Sequence, residues 1–277
     1  MPPVHGRERE REEDGSSVSL CFSLRGGRLE LGRGMEVKRF AVLLCAEDSE
    51  YMKRQYGGYF GLFKGMLAEE GEAWDVYRVA AGELPGEADI GLYDGFVITG
   101  SCSNAHGDDA WIWQLINLLK KLDSMKKKIL GICFGHQVLG RALGGKVGRA
   151  KSWDIGLTNI QLSPSSKHFS SLELPAQLSV IECHQDELME LPAKAEVIAR
   201  SDKTDIEMFR YGDHIMGIQG HPEYNRDILL HLIDRLLLRG LITESYADEL
   251  KVNMGACEPD REAWKRLCIS FLKGGFL

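Results

Sequence analysis

The stretch KKKILGICFGHQVLG, residues 126–140, decides how this chain is read. Its run Ile129-Leu130-Gly131-Ile132 has no polar alternation, the mark of a strand covered on both faces. Cys133 follows between Gly131 and Gly135, and FGHQVLGRALGG then takes helical spacing. A strand that turns through a glycine-flanked residue straight into a helix is a nucleophile elbow, here with cysteine where many hydrolases carry serine. The spacing has a steric reason. The central residue sits in a strained turn with its side chain exposed, and a β-carbon at either flanking glycine would meet neighbouring backbone. The helix behind it aims free N–H groups and the positive end of its dipole at the sulfur, which favours a thiolate and a developing oxyanion. The rival reading of Cys133 is a small, inert, buried side chain, the ordinary fate of a cysteine in a reducing compartment.

Working outward, KRFAVLLCA (38–46), WDVYRVA (74–80) and YDGFVITG (93–100) read as further buried strands, while GYFGLFKGMLAEEG (58–71) and WIWQLINLLKKL (111–122) show helical spacing. Strands alternating with helices imply right-handed crossovers and a largely parallel sheet covered on both faces, an α/β fold. After Gly145 the pattern changes to DIGLTNIQLS, LSVIECH, AEVIARS, IEMFRYG and HIMGIQG, strands of a partly antiparallel portion. NRDILLHLIDRLLLRG and DREAWKRLCISFLKGG are amphipathic helices.

The chain has 277 residues, 44% of them hydrophobic, enough for one large core. Residues 35–277 are expected to form that domain. Residues 1–34, with the charge run REREREED (7–14) and Gly-rich pieces, read as a disordered extension, which makes Met35 an alternative start. The net charge of −7, with both signs interspersed, offers no basic face for nucleic acid. No apolar stretch reaches the roughly 20 residues a membrane span requires. The seven cysteines are scattered, without a C-x-x-C pair or structural-zinc spacing, so a reducing compartment and no metal site are expected.

A nucleophilic cysteine needs a base close in space, and HIMGIQGHPEYN offers one at a later strand end. In His221-Pro222-Glu223 an extended backbone points histidine and glutamate to one side, and proline biases His221 toward that conformation. The carboxylate would fix the imidazole tautomer and raise its proton affinity. The plainer reading is a polar strand end. His184, in CHQDE, is the second-choice base or a pocket residue. His136 reads as packing or a backbone hydrogen bond, Asp108 and Asp109 as helix caps, and Trp111 and Trp113 as divided between core and surface. YGGYF (56–60) reads as packing at a glycine hinge, or as a substrate contact.

Together, GICFGHQ and GHPEY, with DGFVITGS upstream, resemble the class I glutamine amidotransferase family, whose elbow is G-x-C-x-G-x-Q and whose base and acid lie in a later H-P-E. The resemblance implies a flavodoxin-like fold: a central, mostly parallel sheet flanked by helices, with an added antiparallel portion. It makes Cys133 the nucleophile, His221 the general base and acid, and Glu223 the residue that orients His221. It places the oxyanion hole at the backbone of Gly100 and Ser101 and the N–H of Phe134, and gives Gln137 a role in binding the glutamyl group. CHQDE stands where the family has Ser-His-x-Asp, so His184, Gln185 and Asp186 are expected to line the pocket. Many members carry Gly-Gly-Pro where this chain has Gly100-Ser101-Cys102, which leaves the upstream oxyanion donor open.

The blocks EVKRFAVLLCAEDSEYMKRQYGGYF, KKKILGICFGHQ, CHQDE, EMF, GIQGHPEYN and PDREAWKRLC look most like plant γ-glutamyl peptidases, single-domain relatives of the amidotransferases. That resemblance implies cysteine-dependent hydrolysis of the γ-glutamyl bond of glutathione or its S-conjugates in the cytosol, through a γ-glutamyl thioester, with no cofactor and no ATP. No phosphate loop G-x-x-x-x-G-K-[ST] is present, so a free-standing hydrolase is expected. Two alternatives stay open: a glutaminase subunit feeding ammonia to a separate synthetase, and a catalytically silent binding module of the same fold.

Overall fold

The computed structural model describes residues 37–163, 172–255 and 258–274. The extension expected over residues 1–34 lies outside the described residues.

Among the described residues the strands are β1 (Arg39–Leu44), β2 (Ala73–Arg78), β3 (Gly95–Ile98), β4 (Lys128–Ile132), β5 (Lys146–Leu162), β6 (Gln177–Glu190), β7 (Ala195–Arg200), β8 (Met208–Tyr211) and β9 (Ile215–Ile218). They form one sheet in the order β2-β1-β3-β4-β9-β8-β7-β5-β6. From β2 to β9 neighbours run parallel; from β9 onward they run antiparallel. This is the expected α/β architecture. β3 is buried at every position and β4 at all but its first, as their unbroken apolar sequences require.

The helices are α1 (Glu50–Tyr56), α2 (Gly58–Leu67), α3 (Glu87–Ile90), α4 (Ala110–Ser124), α5 (Phe134–Ala142), α6 (Arg226–Leu238), α7 (Glu244–Asn253) and α8 (Arg261–Lys273). The apolar faces of α4 and α5 bury Ile112, Leu115, Leu119 and Val138 with Phe96, Ile98 and Ile129 of the sheet. On the opposite face α2 and α8 bury Phe63, Leu67, Trp264 and Phe271 with Phe40, Val42 and Leu130. A third cluster joins α1, α6 and α7 to Ile155 of β5 and Ile181 of β6. Each side of the parallel strands is thus sealed, which leaves their C-terminal ends as the place for a ligand.

Two expectations need correction. Asp109 does stand at the N-cap of α4, but its side chain makes no capping hydrogen bond, and Asp108 instead lies 3.6 Å from Arg141. β5 and β6 run well past the expected segments, because the outer half of this hairpin exposes one face and its sequence is polar there.

Candidate active site

Three neighbouring parallel strands bring the site together. β3, β4 and β9 lie side by side, with Ile98 level with Gly131 and Gly131 level with Gly217. Adjacent strands are roughly 4.8 Å apart, so the residues just past their C-terminal ends share one small region. Gly100 follows β3, Cys133 follows β4 and His221 follows β9. The Cys133 N–H donates to the Ile218 carbonyl (2.8 Å), which ties the elbow to the strand that leads to the histidine.

Cys133 adopts φ 52°, ψ −106° at the N-terminus of α5, a conformation rare for any residue with a side chain. The two flanking glycines are sterically required. A β-carbon at Gly131 would lie 2.6 Å from the Gly135 carbonyl, and one at Gly135 would lie 2.4 Å from the Ile98 carbonyl oxygen.

His221 is fixed from three directions. Its N–H donates to the Ile181 carbonyl (2.8 Å), its Nδ1 donates to Glu223 Oε1 (2.8 Å), and its ring lies flat on Tyr224, centroids 4.0 Å apart. With Nδ1 engaged, Nε2 is the ring nitrogen left for chemistry. A β-carbon placed on Gly100 would stand 2.8 Å from His221 Cε1 and 3.7 Å from Cys133 Cβ, so imidazole and cysteine flank the same point. The Phe134 N–H favours the charged form of the Cys133 sulfur, while its ring is in the core, stacked 5.4 Å from Trp111. The amide N–H groups of Gly100 and Ser101 meet no backbone acceptor among the described residues.

Burial holds the Cys133 thiol well above its ordinary pKa, and the nearby Cys183, Glu182 and Glu223 push the same way; the Phe134 N–H opposes them. The sequence reading expected the α5 dipole to favour a thiolate. In the structure desolvation of a side chain 5% exposed opposes it and favours the neutral thiol.

Cys133 opens into a cleft of about 400 Å³, within the range of small-molecule sites. Of the residues expected there, Ser101, Gln137, His184, Gln185 and Asp186 line it, whereas Gly100, Phe134, His221 and Glu223 do not. Gln137 Nε2 donates to the Asp186 carbonyl (2.6 Å) and to Gln219 Oε1 (3.1 Å). Asp186 accepts from Arg149 Nε (3.0 Å) and lies 3.3 Å from His106. His184 is buried, its Nδ1 on the Asp186 carbonyl (3.1 Å) and its Nε2 3.3 Å from Glu182, so both ring nitrogens are engaged within the pocket wall. Arg149, Trp153, Arg235 and Arg239 also line the cleft and were missed by sequence reasoning. Nothing in their local pattern distinguishes them from surface residues of their strand or helix.

Beneath the wall is a group of buried carboxyls. Burial together with Asp154 holds Glu182 well above the usual carboxylate range, and burial with Glu182 beside it lifts Glu207 to about 9. Lys203 Nζ donates to Asp154 (2.8 Å) at the edge of this group. His136 is fully buried, pushed down to about 3 and packed 5.0 Å from Phe209, so it is a neutral core residue, as its position after the elbow implied. Trp111 packs on the core and Trp113 is 45% exposed, as expected. In YGGYF, Tyr56 hydrogen-bonds Asn225 and Tyr59 is buried, which is packing. Among the described residues no group of three His, Cys, Asp or Glu could hold a metal, and no helix is long and apolar enough to cross a membrane.

Comparisons with known proteins identify the family. Residues 76–228 match the model of the family described as glutamine amidotransferase class-I. The chain is 50% identical to γ-glutamyl peptidase 5 of Arabidopsis thaliana over 244 residues, 86% of this chain and 97% of that protein. It is 49% identical to γ-glutamyl peptidase 3 of the same plant over 242 residues, again 86% and 97% of the two chains. A glutamine amidotransferase from Thermotoga maritima shares the fold at a TM-score of 0.66 and 23% identity, covering 86% of this chain and 97% of that one. The chain therefore belongs to the class I glutamine amidotransferase family, in the branch that carries the plant γ-glutamyl peptidases.

Proposed function

We propose that this protein is a cysteine-dependent γ-glutamyl peptidase that hydrolyses the γ-glutamyl bond of glutathione or its S-conjugates through a γ-glutamyl thioester. The observation that carries this reading is the convergence of Cys133, His221 and Glu223 at the ends of adjoining strands, beside a cleft of substrate size. The half-identical relatives that bear the γ-glutamyl peptidase name support the substrate class.

The neutral thiol sets the order of events. As sulfur attacks the γ-carbonyl carbon, its proton passes to His221 Nε2, and Glu223 stabilises the imidazolium. The oxyanion that forms is met by the Phe134 N–H and by the free amides near Gly100 and Ser101; one such donor is typically worth about 3 to 4 kcal/mol of barrier. The imidazolium gives its proton to the leaving amine, the C–N bond breaks and a thioester remains. Water then attacks the thioester, its proton going to His221 and on to the departing sulfur, which releases glutamate. Gln137, Gln185 and Asp186 hold the glutamyl end, with Gln137 fixed by its bonds to Asp186 and Gln219. The reaction as drawn uses no cofactor. We assign the catalytic domain to residues 35–277, and the cytosol as its location on the strength of free cysteines that include the exposed Cys102.

Incubation of the purified protein with glutathione tests the reading. Cys-Gly and glutamate are the expected products, and Cys133→Ala abolishes their release. Cleavage that survives in Cys133→Ala would overturn the mechanism, and ammonia from glutamine without any peptide cleavage would point to a glutaminase.

A further inference from the structure

The cleft has lining residues that the chemistry above does not use. Helix α6 presents Leu232, Arg235, Leu236 and Arg239 to the cleft that contains Cys133, positions 0, 3, 4 and 7 of one helical face. Cys183 lines the same cleft, close enough to Cys133 to act on its sulfur and close enough to Arg235 to feel the guanidinium.

The charges there run against those of the molecule. The chain carries −7, yet the cleft is lined by three arginines and one carboxylate, Asp186. Arg149 is committed, donating to Asp186 and to Asn104. Asp234, beside Arg235 in sequence, is 2.7 Å from Lys251 instead. Among the described residues neither Arg235 nor Arg239 is seen to form an ion pair, although Arg235 is half-buried. Two uncompensated guanidinium groups facing a cavity form a site for an anion, and a carboxylate matches the planar fork of arginine best.

We propose that Arg235 and Arg239 form a leaving-group subsite that binds the C-terminal carboxylate of the departing peptide, with Leu232 and Leu236 against its side chain. This rests on the peptidase reading and adds the basis of discrimination: the substrates favoured are γ-glutamyl peptides ending in a free carboxylate, over γ-glutamyl amides that lack one. A departing dipeptide reaches roughly 7 Å beyond the scissile bond when extended, so its carboxylate is well separated from the glutamyl-binding end.

The test compares glutathione with its C-terminal carboxamide, two substrates identical except for that charge. The readout is the ratio of kcat/KM for acid over amide. A charge-assisted hydrogen bond corresponds to a ratio of about 10 to 100 in the wild type. Arg235→Met and Arg239→Met are expected to bring it toward one, and Arg235→Lys to restore part of it. Circular dichroism verifies folding, and if Arg235→Met misfolds, Arg239→Met on the exposed turn carries the test. A wild-type ratio near one, or variants that slow both substrates equally, overturns the subsite while leaving the peptidase intact. A wild type that cleaves neither substrate removes the peptidase reading, and the subsite with it.

Discussion

Replacing Gly100 by alanine adds one methyl group between the two side chains on which the proposed mechanism depends. Gly100 does not occupy left-handed backbone, so alanine meets no conformational penalty and the whole effect is one of space. The new carbon would stand 2.8 Å from His221 Cε1, whereas apolar atoms rest at about 3.5 to 4.0 Å. The ring must therefore retreat by about 0.7 Å or more. It has little room to do so, because Tyr224 is stacked on it and Glu223 holds Nδ1. A displacement near 1 Å in a reacting pair costs roughly 100-fold, so kcat on a γ-glutamyl peptide is expected to fall about 10- to 100-fold, or about 1.4 to 2.7 kcal/mol of barrier. Steady-state kinetics with a thermal melt on the same sample checks this. A Gly100→Ala protein with wild-type kcat and an unchanged melt would refute the placement of Cys133 and His221 around this glycine.

Glu223→Gln keeps the shape of the His221 contact but withdraws the charge that stabilises imidazolium, so kcat should drop by about 100-fold or more with little change in KM. Glu207→Gln probes the buried carboxyls. Glu207 sits at about 9 in the folded protein against an ordinary 4.5, so the folded state holds a proton that the unfolded state releases. Stability is thus full below pH 4.5 and falls as pH rises toward 9, by about 3 kcal/mol at pH 7 for this group. Urea unfolding at pH 5 and pH 7 should show the Gln variant losing that much less than wild type, and parallel losses would refute the assignment. A chain beginning at Met35 should keep full activity in the same assay that tests Cys133→Ala; loss of folding would show that the extension belongs to the domain.

The elbow was legible because it is a local device: strand, strained residue and helix are contiguous, and Gly131 and Gly135 are there for clashes that any β-carbon would create. The parallel strands were legible for a similar reason, since burial on both faces leaves an unbroken apolar run. His221-Pro222-Glu223 could be read as a pair from its extended spacing, but its partnership with Cys133 rests on β9 lying next to β4, a long-range pairing that no local pattern encodes. For the thiol, the dipole of α5 is local and legible, whereas the desolvation that opposes it comes from the whole surrounding wall. Helix α1, seven residues long, and the weakly amphipathic α7 went unforeseen, because their hold on the structure is a few contacts in a third cluster and the caps of Ser49 and Thr243. Arg235 and Arg239 acquire meaning only from the cavity they face.

The burial that favours a neutral Cys133 also bears, on the proposed mechanism, on the protein's durability. Peroxides and electrophiles attack thiolates far faster than thiols, so a sulfur that keeps its proton until an acyl group arrives is shielded from oxidation and alkylation between turnovers. On the proposed mechanism reactivity is then conferred by the bound substrate at the moment of use, and an idle molecule would outlast, among oxidants, one with a permanently ionised cysteine.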